Sequence, residues 1–190
     1  FGISADVSRA HRRFRHRESD WGLLACALDD DAAELYLNCV GTFGAGSAGY
    51  WWGRLMGIVA RTSISITGRA VLWQLIFADD VNLLAKGVDG IRAAVVSIFV
   101  MVIFGVPFSW KKLKGGFIYS WVGLEIDLTG YRLGLSLGRA QWLCDWIDGV
   151  IEKDAVLIRD LASVLGRLAF AAGPLERIRP SFRRCSRGHL

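Results

Sequence analysis

The sequence predicts an α+β fold, a small antiparallel sheet backed by helices and followed by a helical segment. Three observations carry this. Short apolar runs separated by polar or Gly-containing turns fill the chain as far as about residue 135. Adjacent acids interrupt two of these runs in the manner of a hairpin. Beyond residue 136 only helical patterns remain. A length of 190 residues fits one domain, or one domain with a small appendage. With 53% hydrophobic and 22% charged residues the chain is not a disordered tail, and 22 Gly against 3 Pro excludes a collagen repeat.

The elements follow in order. Residues 2–7 form a short strand carrying Asp6. Residues 21–28 and 34–40 are apolar runs of strand length; Asp29, Asp30 and Asp31 between them make a polar turn, so a hairpin is expected. Residues 41–49 are a Gly-rich loop leading into a helix from Tyr50 to about Arg61; small residues there let a helix start approach a backbone or a ligand. Residues 71–77 form a strand, and 81–85 returns from it with Asp79 and Asp80 at the tip. Asp89-Gly90 is expected to cap a helix over 91–104. Gly115-Gly116 breaks the chain before a strand over 117–126, which Thr129-Gly130 turns. Helices are expected over 137–152 and 155–172, the second capped by Asp154 and ended by Gly173-Pro174.

Cys26, Cys39, Cys144 and Cys185 lie far apart without zinc-ligand spacing, as free thiols do. The N-terminal residues are Arg-rich and lack the apolar core of a signal peptide, so an intracellular location, cytoplasm or nucleus, is expected rather than secretion. Residues 93–108 are the most apolar stretch. Ser97 lies inside it and Gly105 and Pro107 interrupt its end, whereas a membrane span needs ~20 apolar residues. It is read as a buried core helix, and no membrane partner is expected. The net charge is +5, from 23 basic and 18 acidic residues. The excess clusters at Arg9 to Arg17, at Lys111, Lys112 and Lys114, and at Arg177 to Arg187, which suits either a polyanion or a solvated basic face.

Asp79 and Asp80 side by side repel unless something offsets their charge. A common polar turn is one reading. The other is a divalent-cation site, because Mg²⁺ takes hard oxygen ligands, usually one or two carboxylates plus phosphates. Asp6, which also ends an apolar strand, is the natural third carboxylate. Two such ions would activate a 3′-hydroxyl and steady a leaving pyrophosphate.

Taken together, five segments resemble a known family, the reverse transcriptases of retroelements. Asp6-Val7-Ser8-Arg9-Ala10-His11 is similar to their first catalytic-aspartate motif. Thr42-Phe43-Gly44-Ala45-Gly46-Ser47-Ala48-Gly49 is similar to the template-and-nucleotide loop, and Phe77-Ala78-Asp79-Asp80 to the aromatic-x-Asp-Asp box. Lys111-Lys112 precedes Trp121-Val122-Gly123 as the family's lysine motif precedes its primer grip. Ser163-Val164-Leu165-Gly166-Arg167-Leu168 resembles the thumb helix of long-terminal-repeat and DIRS-like elements. The resemblance spans roughly residues 2–180.

It implies a polymerase palm over 1–135, a helical thumb-like segment over 136–180 and a divergent basic tail over 181–190. The implied activity is RNA-directed DNA synthesis from dNTPs on a primed RNA or DNA template, with two Mg²⁺ or Mn²⁺ ions. Asp6, Asp79 and Asp80 would be catalytic metal ligands, with Lys111 or Lys112 the acid that protonates pyrophosphate. His11, Phe43, Gly44, Ala45, Gly46 and Ser47 would meet nucleotide and template. Trp121, Val122, Gly123 and Leu124 would hold the primer. Fingers would precede Phe1, and a ribonuclease H or recombinase region would follow in a longer polyprotein. The sequence departs from the family at His11, where an aromatic residue is usual, and at Thr42 and Gly49, where Pro is usual. The alternative is a catalytically inactive remnant that only binds nucleic acid.

Overall fold

The computed structural model describes residues 1–29, 34–42, 44–153 and 156–171. Asp30, Asp31, Phe43, Asp154 and the Gly173-Pro174 stop lie outside the described residues, as does the tail over 181–190. The chain forms two compact units, one of Phe1–Gly116 and one from Phe117 onward.

The first unit opens with β1 (Gly2–Asp6) and two 3₁₀ segments, Ala10–Arg13 and Glu18–Leu24. A two-residue pair follows, β2 (Ala25–Cys26) with β3 (Tyr36–Leu37). The first half of the expected strand over 21–28 is therefore part of a 3₁₀ segment, and only Ala25-Cys26 is strand. Leu23 there is 85% exposed, whereas Trp21 and Leu24 are half-buried. Next come α1 (Gly46–Thr67), the hairpin of β4 (Leu72–Phe77) and β5 (Asp80–Ala85), and α2 (Gly87–Ile103). A 3₁₀ turn over Trp110–Lys112 leads to β6 (Lys114–Gly116).

The sheet order is β4-β5-β1-β6, and its recorded pairings are antiparallel. Strand alternation sends Ile3, Ala5, Leu72, Val81, Leu83 and Ala85 to one face, where they join Trp52, Met56 and Val59 of α1 and Ala94 and Met101 of α2 in the core. A buried polar knot ties the three elements. Ser63 of α1 donates to Ser97 of α2 (2.7 Å), and the Gln74 amide of β4 donates to both hydroxyls (3.0 and 2.7 Å).

Three expectations are corrected. α1 begins inside the Gly-rich loop, because burial of Ala48 outweighs the poor helix propensity of its glycines. Asp89-Gly90 is not a cap, since α2 starts at Gly87 with Lys86 before it and no side-chain cap bond. Gly90 instead lets the helix sit on the sheet, as a Cβ there would lie 2.6 Å from the Val71 carbonyl oxygen. α2 is buried on one face only, and several apolar side chains on its outward face are exposed. Among the described residues no helix is long and apolar enough to cross a membrane.

The second unit holds β7 (Ile118–Trp121), β8 (Leu124–Asp127) and β9 (Arg132–Gly134), paired in that order, then α3 (Leu137–Lys153) and α4 (Ile158–Ala171). The expected single strand over 117–126 is folded back on itself. Val122 (φ 47°) and Gly123 (φ 77°) make the two-residue turn between β7 and β8. Asp127 closes the β8–β9 turn, its Oδ1 accepting from Thr129 N–H (2.9 Å), Thr129 Oγ1 (2.6 Å) and Gly130 N–H (2.9 Å). These bonds hold its carboxyl below the usual range, the Thr129 hydroxyl contributing most. Cys26 and Cys144 are exposed free thiols and Cys39 is half-buried.

Candidate active site

The carboxylates meet through strand register. β1 and β5 run antiparallel with Asp6 directly opposite Asp80, and Phe77 of β4 is opposite Asp80 on its other side. Their neighbours Ala5, Val81 and Ile76 pack into or against the core, so this row stands on the face away from the helices. Asp79 sits beside it in the turn; Asp80 is the first residue of β5 rather than part of the tip.

Like charges directly opposite across strands are unfavourable. The consequence falls on Asp80, whose pKa is raised from 3.8, first by partial burial, then by Asp79, then by Asp6, with Lys112 opposing. Lys112 also makes an ion pair with Asp6 (Nζ to Oδ2 3.2 Å), its own side chain being 67% exposed and that of Asp6 24%. Lys111 is exposed beside it on the same 3₁₀ turn.

The turn itself is clamped. Ala78 has φ 52°, a left-handed conformation that costs a non-glycine residue about 1 kcal/mol or more. The indole N–H of Trp52, 2% exposed on α1, donates to the Ala78 carbonyl (2.8 Å). The Val7 amide donates to the Asp79 carbonyl (2.8 Å), and the Ser109 amide to that of Asp6 (2.8 Å). Phe14 meets the Trp52 ring edge-on, with centroids 6.4 Å apart. Sequence reading missed Trp52, because its partner is 26 residues away and only the packing of α1 on the hairpin joins them.

His11, Gly44, Ala45 and Gly46, assigned to nucleotide and template, line one cavity of about 220 Å³ with Thr42 and Gly49. Ser47 is exposed in the first turn of α1, and Phe43 lies outside the described residues. A second cavity of about 420 Å³ runs from His11 along Gly49, Gly53 and Gly57 of α1 to Gln74 and Ala78.

In the second unit, Trp121 to Leu124 form the tight β7–β8 turn, and the Arg139 guanidinium donates to the Gly123 carbonyl. A cleft of about 600 Å³ opens between α3 and α4, lined by Arg139, Trp142, Ser163 and Arg167 among others. Arg167 lies over the Trp142 ring at 4.7 Å. Charge clustering along the sequence could not find this pair, since Arg139 and Arg167 come together only when α3 and α4 pack.

Among the described residues, no three His, Cys, Asp or Glu side chains converge into a ready metal cage. Mg²⁺ does not require one, because it keeps waters and takes one or two carboxylates plus substrate phosphates. Asp6, Asp79 and Asp80 fit such an ion chemically. They are hard oxygen donors, Asp80 is raised by burial and then by its two carboxylate neighbours, and a cation, Lys112, is already drawn to Asp6.

No protein-family model matches the chain, and no curated protein does. Solved structures do. A foamy viral protease-reverse transcriptase in complex with an RNA/DNA hybrid aligns at TM-score 0.65 and 14% identity, over 95% of this chain and 24% of that one. A second, in complex with double-stranded DNA, aligns at TM-score 0.64 and 14% identity, over 99% and 31%. The chain has a reverse-transcriptase-like fold. It spans about a quarter to a third of the length of these proteins. Within this reverse-transcriptase-like fold the Asp6–Asp80 row stands on the sheet face away from α1 and α2, beside the Ala78-Asp79 turn.

Proposed function

We propose that the chain is the palm and part of the thumb of a retroelement RNA-directed DNA polymerase, transferring a nucleotide from a dNTP to a primer 3′-hydroxyl. The observation that carries this reading is the pairing of Asp6 with Asp80 beside Asp79, a costly like-charge arrangement in a reverse-transcriptase-like fold. Asp6, Asp79 and Asp80 would hold Mg²⁺ or Mn²⁺, which when bound neutralises phosphate charge and makes the 3′-hydroxyl more acidic. The chain's own residues do the rest. The cavity of His11, Thr42, Gly44, Ala45, Gly46 and Gly49 receives the nucleotide, its glycines allowing close backbone approach. His11 borders the sugar with a polar ring, so rejection of ribonucleotides is weak. Lys112 is released from Asp6 to meet phosphate oxygens and donate a proton to pyrophosphate, with Lys111 adding positive charge. The Trp121–Leu124 turn supports the primer end, and the Arg139–Trp142–Arg167 cleft takes the duplex by phosphate contact and stacking.

Primer extension on a primed RNA template with dNTPs and Mg²⁺ tests this, with Asp79→Asn as control. Extension by the native chain that the variant loses is the expected result. Nucleic-acid binding without metal-dependent extension supports the second reading, a remnant that binds only. The Lys112–Asp6 ion pair favours that remnant, since a cationic side chain already occupies the position of a metal ligand's counter-charge.

A further inference from the structure

We infer that the trough between α1 and β4 holds a single, unpaired nucleic-acid strand, with Tyr50, Arg54, Arg61 and Gln74 as its contacts. That this strand is the template rests on the polymerase reading. The trough is the cavity of about 420 Å³ that reaches from Gly49, Gly53 and Gly57 of α1 to Gln74 and Ile76 of β4. His11 and Gly49 line both it and the smaller cavity assigned to the nucleotide, so the two share a wall. Ala78, in the turn beside the carboxylates, lines it as well.

The rim of the trough suits bases and phosphates together. Tyr50, Arg54, Gly57 and Arg61 fall in one row of α1, at steps of four, three and four residues. Gly57 lines the trough, and a Cβ there would meet the Arg61 guanidinium at 3.6 Å, which puts that cation at the trough's edge. Arg54 lies over the Tyr50 ring at 5.6 Å and donates to its hydroxyl (3.1 Å), while Trp51 meets the ring edge-on with centroids 5.3 Å apart. The ring is held in place yet 57% exposed, as a stacking platform must be. α1 carries these two arginines and no acid, and neither arginine makes an ion pair among the described residues. Across the trough the Gln74 amide nitrogen donates to Ser63 and Ser97, whereas its Oε1 is buried with no hydrogen-bond partner among the described residues. A buried acceptor of this kind is normally met by an N–H, and the amino groups of unpaired bases supply one. A duplex is the poorer occupant, because its bases are stacked on one another and offer Tyr50 no free face. An acidic peptide would answer the arginines but would not stack on the ring.

The test is fluorescence anisotropy of the whole chain with a labelled RNA of about 12 nucleotides that cannot pair with itself, in EDTA and without dNTP. Tyr50→Ala should weaken binding about 5- to 100-fold. Arg61→Gln should lower the slope of log affinity against log salt by about 0.7, the loss of one phosphate contact on a single strand. Gly53→Leu should also weaken binding, with circular dichroism unchanged, because a Cβ there meets nothing within 4 Å and the side chain fills the trough. Binding of a blunt RNA duplex should hold in all three. No binding by the native chain overturns the inference, as does affinity unchanged in Tyr50→Ala and Gly53→Leu, or duplex binding weakened as much as single-strand binding. Displacement of the RNA by polyglutamate as readily as by unlabelled RNA overturns it in favour of an acidic peptide. Single-strand binding with these losses but no primer extension would count against the polymerase reading alone; extension with binding indifferent to the variants would count against the trough alone.

Discussion

Replacing Trp52 by Phe tests whether the carboxylate row depends on the clamp beneath it. The substitution keeps an aromatic ring in the core and removes the N–H that donates to the Ala78 carbonyl at 2.8 Å. A neutral hydrogen bond of this kind contributes about 1 kcal/mol net, and the smaller ring leaves a void that adds about 1 kcal/mol more. The stability loss is therefore about 2 kcal/mol. Where loss of the clamp lets Ala78 leave φ 52°, relief of that strain offsets about 1 kcal/mol of this cost. Ala78→Gly removes the strain beforehand, so the same Trp52→Phe change should cost about 1 kcal/mol more in the Ala78→Gly background. Urea unfolding of the four proteins gives the coupling directly. Single-turnover extension adds a second readout: if the turn loosens by about 1 kcal/mol, the rate falls roughly five- to tenfold while template affinity holds. A coupling energy below about 0.3 kcal/mol would refute the clamp, and it would do so whether or not the chain polymerises.

Three further outcomes are expected. Gly90→Ala should destabilise by about 1–3 kcal/mol in thermal or urea unfolding despite the better helix propensity of Ala, because its Cβ would lie 2.6 Å from the Val71 carbonyl oxygen. Ser97→Ala should cost about 1–2 kcal/mol by the same measurement, leaving Ser63 and the Gln74 amide short of a buried partner. Asp80→Asn should raise the melting temperature at neutral pH. The folded chain raises the Asp80 pKa above its unfolded value, so ionisation weakens the fold; the gain should shrink as pH falls and vanish below about 3.8, where the native carboxyl is protonated in both states.

Much of this architecture is legible in the residues because its signals are local. The alternation of Leu72 to Phe77 and the adjacent acids specify the hairpin, and a one-residue slip would turn Asp80 into the core. What remained hidden depends on partners distant in sequence. The run at 21–28 has strand composition, but only Ala25-Cys26 finds a strand partner, and Trp21–Leu24 become part of a 3₁₀ segment. Val122-Gly123 reads as strand interior until both residues take positive φ and fold the run back. Gly90 resembles a cap in sequence, and only the approach of the Val71 carbonyl reveals why it has no side chain. The site divides in the same way. Asp79 and Asp80 announce themselves, whereas the Asp6–Asp80 pairing needs β1 to lie beside β5, across 74 residues of chain.

That pairing is the strongest physical argument for a function. A sheet free to choose would not set Asp6 opposite Asp80 and put Asp79 in the adjoining turn, where burial first and then the two neighbouring carboxylates raise the Asp80 pKa. Ala78 takes the positive φ that a two-residue hairpin loop requires, and a buried indole and the Val7 backbone amide hold the carbonyls of Ala78 and Asp79 in place. The like-charge pairing is unfavourable for stability alone, and the clamped turn holds Asp79 next to it in sequence. Lys112 offsets only part of the charge, since its side chain is largely exposed and the Asp80 pKa remains raised in its presence. A cation that binds the cluster must therefore stabilise the folded chain, and by linkage the carboxylates must bind it more tightly as pH rises past the raised Asp80 pKa. Thermal unfolding with and without Mg²⁺ at two pH values measures this without any polymerase assay. A stabilisation that is larger at the higher pH and absent in Asp79→Asn is the expected result; equal stabilisation at both pH values would sink the argument.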